Sequence, residues 1–132
     1  MILIRELSAK DIKQPLSPQL IKTLERIKRS EYYSFVAEED NLVVGLGALS
    51  IENKFIHECG KVGHVVELVA RDDSVKSLLL SRLTTLAKAK GCYKVILNCP
   101  DEQIPFFTQQ GFINKGACMT TFHTETEASK MN

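Results

Sequence analysis

The chain has 132 residues, of which 44% are hydrophobic and 25% charged, and its net charge is +1. Those values suit one globular domain with a real core, and they exclude a basic nucleic-acid-binding composition and an acidic solvating tail. No apolar run approaches the roughly 20 residues of a membrane helix, and Met1–Glu6 lacks the pattern of a signal peptide. The expectation is a cytoplasmic protein with no nucleic-acid or membrane partner.

Residues Ile2–Leu7 read as a strand, and Ser8 and Asp11 mark a turn or short helix. Pro15 and Pro18 punctuate the next stretch. Ser17 is a plausible N-cap, with Pro18 at the first helical position. Leu20, Ile21, Leu24 and Ile27 then predict a helix to about Arg29. Tyr32–Glu38 is aromatic and β-branched, which favours a strand. Glu39-Asp40-Asn41 is a turn, and Leu42–Asn53 is a second hairpin strand. Gly45 and Gly47 within it predict a bulge or a close backbone approach. After a loop over Lys54–Lys61, Val62–Ala70 is a largely apolar strand.

Leu78, Leu79, Leu80, Leu83, Leu86 and Ala87 define an amphipathic helix that ends at Lys90-Gly91. Tyr93–Leu97 is a strand, Glu102–Gln110 a short helix and Phe112–His123 a closing strand. Thr124–Asn132 is polar. No repeat or linker divides the chain, so residues 1–124 form the expected domain and 125–132 a tail. The four cysteines, Cys59, Cys92, Cys99 and Cys118, form no C-x-x-C pair. With three histidines, no metal site is expected, and the thiols are read as free and buried.

The order β-α-β-β-β-α-β-α-β resembles that of the GNAT acyltransferases. Four segments narrow the resemblance: Asn53-Lys54-Phe55-Ile56-His57, Gly63-His64-Val65, Gly91-Cys92-Tyr93-Lys94-Val95-Ile96-Leu97, and Phe106-Phe107-x-x-x-Gly111-Phe112. Together they look like the glucosamine-6-phosphate N-acetyltransferases, which serve UDP-N-acetylglucosamine synthesis. The resemblance implies an α/β fold with a mixed central sheet flanked by helices. It implies acetyl transfer from acetyl-CoA to the amine of glucosamine 6-phosphate, in a homodimer with sites at the subunit interface.

Residue by residue, the resemblance gives the sugar phosphate to Lys54, Phe55, Ile56 and His57, with a second sugar contact at Tyr93 and Lys94. Ammonium and imidazole donors suit a phosphomonoester, because charge-assisted hydrogen bonds are short and strong. Solvated surface lysines are the alternative for Lys54 and Lys94. Glu67 matches an acidic position that orients the amine and accepts its proton; an ion pair at a strand end is the alternative. The donor contacts fall on Leu68, Val69, Ala70, Arg71, Ser74, Lys76 and Phe107.

The chain departs from the family pattern on the donor side. Family members hold the diphosphate with a glycine-rich turn at the start of the long helix. Here that connection, Arg71–Ser77, contains no glycine and carries Asp72 and Asp73, either of which suits a helix cap. Two unit charges about 4 Å apart repel by about 4 kcal/mol at an effective dielectric near 20. Phe107 stands in place of a tyrosine, Val66 and Asn98 in place of acidic residues, and Phe122 in place of an arginine. A catalytically impaired paralogue that binds a sugar phosphate or pairs with an active relative is therefore the alternative function. An acyltransferase for another substrate, with a rebuilt donor loop, is a third.

Overall fold

The structure is a computed structural model that describes residues 1–11, 18–29, 31–55 and 60–124. The β-branched and aromatic runs form β1 (Leu3–Glu6), β2 (Tyr32–Glu39), β3 (Leu42–Asn53), β4 (Lys61–Ala70) and β5 (Cys92–Leu97). They lie in that order in one sheet. Neighbours are antiparallel except β4 and β5, which are parallel. A parallel pair needs a crossover, and α2 (Asp73–Ala89) supplies it. The helices α1 (Pro18–Arg29) and α3 (Ile104–Gln109) complete the set, with single 3-10 turns at Ala9–Asp11 and Asp101–Gln103. The fold is the expected mixed sheet flanked by helices. Two compact units divide the chain: Met1–Cys99 holds the sheet, α1 and α2, and the second, from Pro100 on, holds α3.

The core forms where α2 meets the sheet. Val75, Leu79, Leu83 and Ala87 recur at helical spacing and are all buried. Opposite them the strands carry glycine. A Cβ at Gly45 would lie 2.8 Å from Leu79 Cδ1 and 2.9 Å from Val75 Cγ1, and one at Gly63 would lie 3.1 Å from Ala87 Cβ. The close approach expected at Gly45 and Gly47 is thus real, and a bulge accompanies it. Ala37 pairs with Gly45 and Glu38 with Val43, which leaves Val44 as the extra residue. Phe35, Val36 and Ala37 are buried in succession, as are Ala48 and Leu49, so both sheet faces are covered there.

The β2–β3 turn is tight because Asp40 and Asn41 both accept positive φ, 52° and 65°. At the sheet's other end, β1 is anchored by charge. Arg5 reaches both carboxylate oxygens of Asp11 at 2.9 and 2.8 Å, and Asp11 also accepts from the Ser8 amide.

Three expectations are corrected. The closing strand over 112–123 does not form, since the described residues 112–122 carry no strand. A strand needs a hydrogen-bonded neighbour; here Gly116, at φ 152°, breaks the extended run, and Ile113 and Met119 are 76% and 91% exposed. The long helix begins at Asp73, well before Leu78, so the connection from β4 shrinks to Arg71 and Asp72. The cysteines are not buried: Cys92 and Cys99 are half-buried and Cys118 is exposed, all three as free thiols. Cys92 opens an edge strand, and Cys118 lies in the segment without a strand. Ser17, Cys59 and the tail 125–132 lie outside the described residues.

Candidate functional site

The site begins with a mismatch of length. β4 has ten residues and β5 has six. Their pairing runs from Lys61 opposite Cys92 to Val65 opposite Leu97 and stops there. The next residue, Val66, is an extra one in β4: Val65 pairs with Leu49 on β3, and Glu67 with Ala48. A bulge bends the strand that carries it. Beyond it, Glu67–Ala70 stay alongside β3 but have no β5 partner among the described residues. The gap is a pocket of about 240 Å³ lined by His64, Val65, Val66, Ile96, Leu97 and Asn98.

Glu67 follows the bulge and is exposed. Its charge reaches Tyr32, whose phenol is pushed up first by burial and then by Glu67. Leu68, Val69 and Ala70 lie on the half of β4 that has no β5 partner among the described residues. A second cluster joins β3 to β4. His64 Nε2 lies 2.8 Å from Glu52 Oε1, and Lys54 Nζ lies 3.1 Å from the same oxygen. A carboxylate only accepts, so the imidazole carries a proton on Nε2. His64, then Lys54, holds the Glu52 carboxyl below its usual range.

Glu52 belongs to no motif in the sequence, and His64 had no expected role. Their signal was the hairpin register, which sets His64 opposite Ser50, two residues from Glu52 on the same face. Lys54 also closes the β3–β4 loop, with its amide donating to Gly60 O at 2.8 Å. Phe55 is 98% exposed, while Ile56 and His57 lie outside the described residues. Tyr93 is the extra residue where β4 meets β5: Lys61 pairs with Cys92 and Val62 with Lys94. Lys94 Nζ sits 5.7 Å from the Tyr93 ring centroid, a cation–π contact.

The two parts of an acetyl-CoA donor, as the family uses, would meet different surroundings here. The wedge beyond Val65 suits a thin pantetheine arm, which needs unpaired backbone groups along one edge. The start of α2 does not suit a diphosphate. Asp72 is the N-cap, in extended backbone, and accepts from the Val75 amide at 2.9 Å. That amide and then Arg71 hold its carboxyl below the usual range. Arg71 in turn is spanned by Glu39 at 2.9 Å and Asp72 at 3.1 Å. Ser74 and Lys76 lie on the first turn of α2. Of the two aspartates that could cap this helix, Asp72 does so. In the second unit, the Phe107 ring packs edge-on against Phe106 and Phe112, at 5.0 and 5.9 Å, and it has no hydroxyl to donate.

The profile of the acetyltransferase (GNAT) family matches residues 3–112. The chain is 40% identical over 95 residues to the glucosamine 6-phosphate N-acetyltransferase of Candida albicans, covering 68% of this chain and 64% of that protein. It is 36% identical over 96 residues to glucosamine 6-phosphate N-acetyltransferase 1 of Oryza sativa subsp. japonica, covering 68% and 58%. The chain thus spans less than two thirds of either relative. The crystal structure of the glucosamine-6-phosphate N-acetyltransferase from Arabidopsis thaliana superposes with a TM-score of 0.84 at 25% identity, covering 94% of this chain and 99% of that one. Family profile, relatives and sheet topology agree, and the chain belongs to the acetyltransferase (GNAT) family.

Proposed function

We propose that the chain is an N-acetyltransferase that moves an acetyl group from acetyl-CoA to the amine of glucosamine 6-phosphate, in the cytoplasm, as a homodimer serving UDP-N-acetylglucosamine synthesis. The carrying observation is the wedge between β4 and β5, which opens at the Val66 bulge beside Glu67. Similarity to two proteins of that named activity supports the choice of acceptor. Acetyl-CoA supplies the acetyl group as a thioester, and the chain's residues do the rest. Lys54, with Phe55, Ile56 and His57, holds the sugar phosphate; Tyr93 and Lys94 hold the sugar. Glu67 orients the amine and takes its proton. Exposed apolar residues on β5, Tyr93 and Ile96, favour a second copy as partner.

One observation favours a second reading. Asp72 and the Arg71–Glu39 pair stand at the start of α2, the position that the family resemblance gives to a donor diphosphate. On that reading the chain is an impaired paralogue that binds the sugar phosphate or pairs with an active relative. Thiol release from acetyl-CoA separates the two. Release that depends on glucosamine 6-phosphate supports the enzyme. No release at millimolar donor, with calorimetric heat on adding the sugar phosphate alone, supports the impaired paralogue.

A further inference from the structure

Building on the acetyltransferase reading, we infer that this chain holds a thioester donor by its pantetheine arm alone, so that the diphosphate and nucleotide of coenzyme A add no affinity. A helix start attracts anions because its first amides lack partners. Here the chain answers that demand itself. The Asp72 carboxylate takes the Val75 amide, and its other oxygen lies 3.1 Å from Arg71 Nε. The second nitrogen of Arg71 is bound to Glu39 at 2.9 Å. Asp73 adds a further carboxylate in the first turn, and Asp40 follows Glu39 in the adjoining turn. Three carboxylates, Glu39, Asp72 and Asp73, are therefore gathered at this end with the cations Arg71 and Lys76.

The backbone adds to the effect. The connection from β4 to α2 is Arg71 and Asp72 only, without glycine, so it lacks the length and the close backbone approach of a glycine-lined phosphate turn. The wedge beyond Val65 carries none of these obstacles. Glu67–Ala70 stay alongside β3 and have no partner on the β5 side among the described residues. An amide-bearing arm can pair with that edge as a short strand does.

Calorimetry on the full chain, with pantetheine and coenzyme A as probes, tests the inference. Wild type should bind the two within about threefold of each other, because the distal phosphates find no partner. Asp72→Asn keeps a good N-cap residue and removes the charge. It should tighten coenzyme A by about tenfold or more and leave pantetheine unchanged. Wild type binding coenzyme A about tenfold tighter than pantetheine would overturn the inference while leaving the acetyltransferase reading intact. Failure of both ligands to bind at millimolar concentration, to wild type and Asp72→Asn alike, would overturn both.

Discussion

At the scale of single residues, the proposed function gives the amine's proton to Glu67. It follows the extra residue Val66 and shares its stretch of β4 with the unpaired edge. Glu67→Gln keeps the shape and removes the base. Turnover should fall by about 100-fold or more with sugar affinity unchanged, measured by thiol release and calorimetry; an unchanged rate would assign Glu67 to a surface ion pair instead. Asp11 supports a second prediction. Arg5, then the Ser8 amide, holds its carboxyl far below the usual range. A depressed carboxyl contributes stability that is full above its unfolded value, about pH 4, and is lost as pH falls toward the folded value. Asp11→Asn should therefore lower stability at neutral pH and flatten the acid limb between about pH 4 and 2, read by urea unfolding. An acid limb identical to wild type would show that the Arg5 pair does not couple to folding.

At the scale of elements, the packing of α2 on β3 sets the sheet's spacing. Gly45→Ala would place a methyl 2.8 Å from Leu79 Cδ1, 2.9 Å from Val75 Cγ1 and 3.2 Å from Val69 O. Val75 is stiff and buried and a backbone oxygen cannot turn aside, so the substitution should cost about 1–3 kcal/mol in denaturant unfolding. Gly47→Ala should cost less, since its nearest neighbour is the end of Leu83 at 3.1 Å. Equal costs would mean that α2 shifts freely. The strand and helix periods were legible in the chain because apolar spacing writes them locally: Leu79 and Leu83 announce α2, and Tyr32–Val36 announce β2. The glycines of β3 were legible as a close approach for the same reason.

What local pattern could not reveal was pairing. The bulges at Val66 and Tyr93 are properties of two strands in register, and the Glu52–His64 contact depends on the same register. The start of α2 was placed too late because Val75, four residues before Leu79, is the single apolar residue of a first turn otherwise made of Asp73, Ser74 and Lys76; together with the Asp72 cap it marks the true start. The segment after Phe112 has a strand's composition but finds no partner within the described residues.

At the scale of the whole molecule, the chain keeps the frame of the acetyltransferase (GNAT) family. Family membership rests on the match over residues 3–112, and the wedge between β4 and β5 is intact as geometry. The proposed homodimer is tested by light scattering, which should give twice the chain mass; a monomer at tens of micromolar would contradict it. The most direct measurement of function uses the purified chain alone, glucosamine 6-phosphate and a carbon-13-labelled acetyl thioester of coenzyme A, both at millimolar concentration. The predicted result is labelled acetyl in amide linkage to the sugar nitrogen, seen by NMR, formed far more slowly by Glu67→Gln. Absence of any acetylated sugar, with the protein folded and the donor intact, would contradict it.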